Sequence, residues 1–283
     1  MPHMIKITGD DIPARLLEIP QPPRQLYLKG ELPSFKEYTY LAVVGSRRLS
    51  HYGRDACESL IAGLAGYPLV IVSGLAIGMD TIAHRAALKA GLPTVGFPGS
   101  GLDPTVLYPA SNRGLAEEII SAGGALVSES APDERALPYK FPERNRLMVG
   151  VSDAVLVVEA GEKSGTLITA RLATDYNRDL YVVPGSIFSP HCAASNRLIR
   201  QGAMPVCSAP DLLAELGFDV KEKQLALNLS SEEEHLMELI YEPKNRDELI
   251  RESGMEVGAC NTLLVTMEIK GLIKETLGEI RLA

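Results

Sequence analysis

"LVIVSGLAIGMDTIAHRAAL", residues 69–88, contains the pattern that decides the fold. An apolar run of strand length is followed by glycines, and then by a helical pattern from about residue 80 to 90. Six more apolar runs alternate with helical segments: LAVVGS (41–46), TVGFPG (94–99), ALVSES (125–130), AVLVVEA (154–160), LYVVPG (180–185) and MPVCS (204–208). Continuous Val, Leu and Ile strands separated by helices are typical of a parallel sheet covered on both faces. The sequence therefore predicts an α/β, Rossmann-like, doubly wound and mostly parallel sheet.

The pattern changes along the chain predict four segments. Residues 1–39 hold many prolines and predict an extension, with a short helix and the strand QLYLKG, that packs on the core. Residues 40–217 form the Rossmann-like domain, and 218–228 form a linker. Residues 229–283 predict three helices and a hairpin, a pattern typical of a small C-terminal winged-helix-like domain.

Composition limits the class of protein. Hydrophobic residues make up 46% of the 283 residues, which is enough for a sizeable core. The four cysteines are scattered without a CxxC pair and the five histidines do not cluster, so no metal site is predicted. No apolar run approaches the roughly 18 residues of a membrane span, and no secretory signal is visible. We therefore expect a cytoplasmic protein without a membrane span.

Charge is distributed unevenly. The formal net charge is -8, which argues against a chain coated by nucleic acid but leaves room for a local basic cleft. From Asn228 onward, twelve acidic residues stand against six basic ones. A helix-turn-helix that reads DNA is expected to be basic. This acidic domain is therefore interpreted as a protein-contact or structural module, with Ser230 or Ser231 as the N-cap of its first helix.

Glycine, serine and arginine residues follow the predicted strands at their carboxyl ends. These segments are GSRR (45–48), SGLAIGMD (73–80), PGSGLD (98–103), ES (129–130), EAGEKSGTLITA (159–170) and PGSIFSPHCAASN (184–196). Ligands of open α/β sheets bind at this edge, so six segments predict a long groove. Gly45 and Gly74 allow a ligand to approach the backbone closely. Ser164, Gly165 and Thr166 stand at the start of a predicted helix, where free backbone N–H groups can bind a phosphate.

No cofactor motif accompanies this edge. No GxGxxG follows the first strand of the parallel pattern, so NAD binding is poorly supported. No GxxxxGK[ST] is present, which excludes a P-loop ATPase. Asp80 and His84, one helical turn apart, predict a hydrogen-bonded pair at a helix start rather than a catalytic pair.

The segment YKFPERNRLMVG, residues 139–150, contains three cationic residues, Lys140, Arg144 and Arg146. Pro142 suits the first turn of a helix. Arg144 and Arg146 are two residues apart and do not share a helix face. One is expected to face the groove, and the other to pack against a strand-end acid such as Glu129 or Glu159. For Phe141, a place in the core is favoured over stacking on a base.

Together these motifs resemble the DNA processing protein A family. The matching stretches are AVVGSR, VIVSGLAIGMDTIAHRAAL, GSGLD, FPERNRLMVGVSDAVLVVEA, SGTLITARLA, VVPGS and NRLIRQGA, between about residues 13 and 216. The resemblance implies a non-enzymatic protein that binds single-stranded DNA and dimerises through its Rossmann-like domain. It also implies protection of incoming DNA and help in loading the RecA recombinase during natural transformation.

The resemblance also implies which residues meet the DNA. They are Gly45, Ser46, Arg47, Gly74, Lys140, Phe141, Arg144, Asn145, Arg146, Ser164, Gly165 and Thr166. Ile77 stands where the family usually has Arg or Lys, which removes one cation and lowers the salt slope by about one unit. Cys192 and Ala194 stand where Ser and Gly are common in the family.

Two other functions remain open. A nucleoside-monophosphate phosphoribohydrolase of the LOG class has a related fold and a glutamate in the motif PGGxGTxxE. Thr169 takes the place of that glutamate here, which removes the acid–base group. The second alternative is a sensor that binds a nucleotide in the groove and signals through the acidic domain.

Overall fold

The computed structural model describes residues 3–162, 164–220, 229–276 and 278–282. The chain divides into two compact units, Met1–Val220 and Lys221–Ala283. The linker predicted at 218–228 lies largely in residues 221–228, outside the described residues.

The larger unit is built on one sheet of nine described strands, in the order β1-β2-β6-β5-β4-β3-β7-β8-β9. The strands are β1 (Ile5–Thr8), β2 (Gln25–Gly30), β3 (Thr39–Gly45), β4 (Leu69–Ser73), β5 (Thr94–Gly96), β6 (Ala125–Ser128), β7 (Ala154–Glu159), β8 (Asp179–Val182) and β9 (Met204–Pro205). Strands β3 to β9 pair in parallel, as the alternating pattern predicts. The order reverses between β3 and β7, and such a switch point opens a ligand crevice at the carboxyl ends of the strands.

The N-terminal extension contains the predicted strand QLYLKG, which is β2. Besides packing on the core through Leu26 and Leu28, β2 joins the sheet antiparallel to β6. Strand β1, which the sequence pattern missed, adds a second antiparallel partner at the edge. The extension therefore covers the edge strand β6, whose unpaired backbone groups would otherwise face solvent.

Helices cover both faces of the sheet. They are α1 (Ala14–Leu17), α2 (His51–Gly63), α3 (Met79–Lys89), α4 (Arg113–Ser121), α5 (Lys140–Val151), α6 (Thr166–Asp175), α7 (Ala193–Arg200) and α8 (Ala209–Glu215). Along β3, Tyr40, Ala42 and Val44 enter one core, which α5 and α6 cover. Leu41 and Val43 enter the opposite core, which α2 and α3 cover. This alternation confirms the doubly wound fold.

The smaller unit contains α9 (Ser231–Leu239), α10 (Arg246–Ser253) and α11 (Val257–Ile269). Its sheet has the order β10 (Lys244–Asn245), β12 (Glu279–Leu282) and β11 (Ile273–Thr276). Ser230 caps α9, since its Oγ accepts from Glu233 N and the Glu233 carboxylate accepts from Ser230 N. This confirms the predicted N-cap and the winged-helix-like pattern. Among the helices described, none is long and apolar enough to cross a bilayer.

Candidate nucleic-acid interface

A cleft of about 750 Å³ lies at the carboxyl ends of β3 and β7, where the strand order reverses. The turn after β3, the first turns of α5 and the loop between β7 and α6 form its walls. Nine of the twelve residues predicted to bind a ligand line it: Gly45, Ser46, Arg47, Phe141, Arg144, Asn145, Ser164, Gly165 and Thr166. The sheet therefore brings together residues that are more than 100 positions apart in the sequence.

The turn after β3 presents two arginines at the mouth of the cleft. The Ser46 hydroxyl accepts from Arg48 N (3.0 Å) and donates to Arg48 O (2.8 Å), which holds the turn closed. A Cβ at Gly45 would lie 2.7 Å from Met79 Cγ, so packing against α3 already requires glycine there. Arg47 and Arg48 are exposed, and neither forms an ion pair with a described residue.

Phe141 forms an aromatic wall of the cleft instead of entering the core. Its ring is partly buried, and the guanidinium carbon of Arg47 lies 5.1 Å from the ring centroid. The Tyr108 ring lies 5.8 Å away at 57°. A Cβ at Gly99 would lie 2.6 Å from Phe141 Cδ1, so this glycine leaves room for the ring. The sequence favoured a core position, but the buried apolar residues of α5 begin only at Leu147, six residues after Phe141.

Arg144 lies beneath this surface, at the bottom of the cleft. Its side chain is buried, its Nη1 donates to Gly74 O at 2.5 Å, and its Nε has no partner among the described groups. Burial lowers the pKa of Arg144 to about 10, although the nearby Asp80 carboxylate opposes that shift. Burial likewise raises the pKa of Asp80, and Arg144 opposes the rise. The two groups therefore stabilise each other's charged forms.

Gly74, Lys140 and Arg146, three of the twelve expected contacts, do not line the cleft. A side chain at Gly74 would overlap the Arg144 guanidinium and the Asp80 carboxylate, so this glycine makes room for a protein group. Arg146 Nη2 lies 2.5 Å from Glu129 Oε2, as the sequence predicted for one of the two arginines. The Glu159 carboxylate, the other acid considered for that pairing, accepts from Ser50 N and Ser50 Oγ.

Lys140 is buried and committed to other partners. Its ammonium donates to Ser130 Oγ at 2.9 Å and forms an ion pair with Glu134. The hydrogen bond from Lys140 lowers the pKa of the Glu134 carboxyl. Lys140 lines a separate hollow of about 230 Å³ that also contains Glu129 and Glu143. Its charge is therefore neutralised locally, and it is not a free phosphate contact in this structure.

At the start of α6, intrachain acceptors occupy two of the expected N–H donors. Ser164 N donates to Gly161 O at 3.0 Å, and Thr166 N donates to Ser164 Oγ at 3.2 Å. The Ser164 hydroxyl in turn donates to Thr166 Oγ1 at 2.8 Å. The expectation of open N–H groups is therefore wrong for Ser164 and Thr166. The groups of this wall that a ligand can contact are the hydroxyl groups of Ser164 and Thr166 and the exposed backbone of Gly165.

Asp80 and His84 do not form the predicted pair. His84 Nδ1 lies 2.7 Å from Thr94 Oγ1, whose hydroxyl donates to Ile71 O at 2.7 Å. Because the Thr94 proton is used there, Nδ1 carries the proton of a neutral imidazole. Burial lowers the pKa of His84 to about 3. The ring belongs to the core, and Asp80 accepts instead from Ala76 N.

Arg48, Asp80 and Thr169 also line the cleft, although they were not among the twelve predicted contacts. All three lie in the strand-end segments that predicted the groove. Arg48 directly follows Arg47 at a strand end, a position that indicates a further contact. Three arginines and two carboxylates (Asp80 and Glu162) line the cleft, so its residues carry a positive balance in an acidic chain.

A Rossmann-like sheet with an arginine-bearing cleft at its switch point defines a class of α/β ligand-binding proteins. Comparison with known families narrows this class. The model described as DNA recombination-mediator protein A matches residues 3–217, and the DprA winged helix domain matches residues 220–278. The chain belongs to the DNA recombination-mediator protein A (DprA) family, which acts in DNA processing during recombination. This confirms the resemblance noted in the sequence.

Named relatives agree with this assignment. DNA processing protein DprA of Streptococcus pneumoniae is 42% identical over 212 residues, which is 75% of this chain and 73% of the relative. Protein Smf of Escherichia coli is 39% identical over 216 residues, which is 76% of this chain but only 57% of the relative.

Two solved structures share the fold. The crystal structure of DprA from S. pneumoniae matches with a TM-score of 0.69 at 39% identity, over 77% of this chain and 75% of that one. A structure describing the single-stranded DNA binding mode of DNA processing protein A from Helicobacter pylori matches with a TM-score of 0.66 at 30% identity. The second match covers 75% of this chain and 95% of that one.

Proposed function

We propose that this chain binds single-stranded DNA in the cleft at the β3/β7 switch point. The observation that carries the proposal is the exposed Arg47 guanidinium above the partly buried Phe141 ring. Grooves that bind single strands combine cations for the backbone with aromatic faces for the bases. The relative from H. pylori, whose structure concerns single-stranded DNA binding, adds support from the family.

The geometry suggests a division of roles. Arg47 and Arg48 lie at the mouth, where they are free to contact phosphates. Phe141 lies deeper, and an unpaired base reaches its ring by displacing the Arg47 guanidinium. Bases of a duplex are stacked on each other and cannot enter such a wall without being unpaired. This arrangement therefore favours single strands over duplex DNA.

Arg144 supports the site from below. Its guanidinium is held by Gly74 O and keeps one nitrogen, Nε, without a partner among the described groups. A buried cation is screened less by salt than an exposed one. We assign it a fixed positive field at the bottom of the cleft, whereas Arg47 and Arg48 supply the salt-sensitive contacts.

Fluorescence anisotropy with labelled oligo(dT) tests the proposal. Binding should weaken as salt rises from about 50 to 200 mM, and Arg47→Ala should lower the slope of log K against log salt by about 0.7, the value for one single-strand phosphate. Arg85→Ala is the matched control, because Arg85 is an exposed arginine of α3 that does not line the cleft. Absence of binding at about 50 mM salt, or an equal effect of Arg85→Ala, would contradict the proposal.

We further infer that the bound strand is protected and then passed to the RecA recombinase during DNA uptake. Membership of a recombination-mediator family supports this role. Nuclease digestion of bound oligo(dT) tests protection, and RecA ATPase on strands coated with single-strand-binding protein tests loading. Arg47→Ala should reduce both effects. Sedimentation of the free protein tests the homodimer that the family resemblance implies.

A further inference from the structure

The loop between β8 and α7 exposes two large apolar side chains beside the cleft. Ile187 is 83% exposed and Phe188 is 90% exposed. A single exposed apolar residue needs no explanation, but two adjacent ones at the ligand edge of a sheet mark a candidate contact surface.

This exposure does not come from a loosely held loop. Asn196 on α7 forms two hydrogen bonds with the backbone of Gly185 at the base of the loop. Its Oδ1 accepts from Gly185 N (3.2 Å), and its Nδ2 donates to Gly185 O (2.9 Å). The Tyr52 hydroxyl donates to Pro184 O at 2.6 Å. Phe188 N donates to Ser186 Oγ at 3.2 Å, which holds the tip itself. The loop therefore presents Phe188 on a structured support.

A hollow of about 520 Å³ lies between this loop and the start of α2. Ser50 and Tyr52 line the hollow, two and four residues beyond Arg48, which lines the cleft. On the other side, the loop passes close to the cleft wall, because a Cβ added at Gly161 would lie 3.2 Å from Pro190 O. The two concavities therefore follow one another along the carboxyl ends of β3, β7 and β8.

The chemistry of the hollow suits a base and not a phosphate. None of the residues that line it carries a formal charge. The Glu159 carboxylate accepts two hydrogen bonds from Ser50, so Ser50 is already committed, and no Lys or Arg lines the hollow to receive a phosphate. The Tyr52 hydroxyl is already used on Pro184 O, so its half-exposed ring is the surface that Tyr52 offers. Aromatic faces accept any base.

We propose that Tyr52 and Phe188 form a second base-stacking subsite for the same single strand that occupies the cleft. The proposal rests on the proposed function and extends it. The strand would pass from the arginines at the mouth over the wall at Gly161, and its next bases would stack against the hollow. Binding should then depend on strand length beyond what the cleft alone accommodates.

The chain contains no tryptophan, so Phe188→Trp introduces a single fluorescent reporter at the subsite. Oligo(dT) of about 15 nucleotides should quench this tryptophan, whereas about 4 nucleotides, enough for the cleft alone, should change it little. Phe188→Ala should weaken binding of the longer strand about fivefold or more and leave the shorter one unchanged. Phe141→Trp is the matched reporter in the cleft and should respond to both lengths.

Ile187→Ala is the second control, because it removes a neighbouring exposed apolar side chain without removing an aromatic ring. It should weaken binding of the longer strand less than Phe188→Ala does, and it should leave binding of the shorter strand unchanged. Thermal unfolding should be unchanged in Phe188→Ala, since that side chain has almost no packing contacts to lose.

The outcomes separate this inference from the proposed function. If the unmodified chain binds neither oligonucleotide, both fail. If it binds both, but Phe188→Ala binds them normally and the emission of the Phe188→Trp variant does not change, only the second subsite is overturned. If the emission of that variant responds to protein concentration without DNA, the loop contacts another copy of the chain, which also overturns the subsite.

Discussion

Two surfaces of this molecule could be expected to bind DNA, and they differ in where their cations stand. The cleft of the larger unit presents Arg47 and Arg48, which are exposed. Helix α11 of the smaller unit is the third helix of a winged-helix-like fold, the position from which such folds can read a groove. It contains no Lys or Arg, and Val265 and Ile269 are exposed on it.

Three of the six described cations of the smaller unit form ion pairs with acids. Lys244 pairs with Glu252, Arg246 Nη2 lies 2.5 Å from Glu275 Oε2, and Lys270 Nζ lies 2.6 Å from Glu233 Oε1. A cation that is already paired with an acid must break that ion pair before it contacts a phosphate, so it contributes less to DNA binding than an unpaired cation. The comparison teaches that the placement of free cations, and not the name of a fold, predicts where nucleic acid binds.

The largest expected effect concerns the buried cation under the cleft. Arg144→Ala should lower the free energy of unfolding by about 3–5 kcal/mol, because it leaves the Asp80 carboxylate buried without its cation. Urea denaturation measures the change. Arg47→Ala, in the same cleft but exposed, should cost less than about 1 kcal/mol.

A second substitution identifies the cause. Replacing Asp80 as well, in Arg144→Ala/Asp80→Asn, removes the stranded charge and should recover part of the lost stability. Equal stability of Arg144→Ala and the unmodified chain would show that the pair is not electrostatically coupled. The larger unit would then tolerate loss of this cation as easily as loss of an exposed one.

The next prediction concerns stability, which should depend on pH differently in the two units. His84 has a pKa of about 3 when folded and 6.5 in its ordinary state, so below pH 6.5 the unfolded chain takes up a proton that the folded chain does not. Stability of the larger unit should therefore fall by about 2 kcal/mol from pH 6.5 to 5. His84→Asn, which keeps a donor for Thr94, should lack this loss in urea denaturation.

The smaller unit should respond to acid in a different range. Lys270 lowers the pKa of Glu233, and the N–H groups of Gly258 and Ala259 lower that of Glu256. A carboxylate whose pKa is lowered in the folded chain stabilises the fold, and this contribution to stability is lost only as the pH falls below the ordinary carboxyl pKa of 4.5. Identical pH slopes for His84→Asn and the unmodified chain between pH 6.5 and 5 would contradict the assignment to His84.

Much of the fold follows from the sequence because burial repeats with a fixed period. Seven apolar runs predicted seven parallel strands, and the strand-end segments predicted the edge where the cleft lies. Strand β1 was not predicted because its sequence, IKIT, is short and mostly exposed. Helix α8 escaped because it has only seven residues, although Ser208 caps it and Pro210 lies in its first turn.

The site was harder to predict than the fold because partners decide which cations are free. Lys140 and Arg146 are cations like Arg47, but each forms an ion pair with an acid, Glu134 and Glu129 respectively. Residue type and spacing along the chain did not reveal the pairing of Lys140 with Glu134. The expected pairing of one arginine with Glu129 succeeded because a helix start and a strand end meet at this edge.

A smaller effect tests the aromatic wall. Phe141→Leu keeps an apolar side chain but removes the flat ring, and it should weaken binding of single-stranded DNA about fivefold. Tyr241→Leu makes a similar change on an aromatic residue of the smaller unit that is 86% exposed, and it should leave the affinity unchanged. Anisotropy with oligo(dT) measures both. If Tyr241→Leu weakened binding as much as Phe141→Leu, the contrast between the two units would fail.

The smallest effect is expected from removing the smaller unit. Each unit has hydrophobic clusters built only from its own residues, so a chain ending at Val220 should fold. Residues 221–283 carry thirteen acidic and eight basic residues, and their net negative charge repels DNA at a distance. Truncation should therefore raise the affinity for oligo(dT) slightly, by less than about twofold, and high salt should abolish the difference. A loss of affinity instead would show that the smaller unit contacts the strand despite its paired cations.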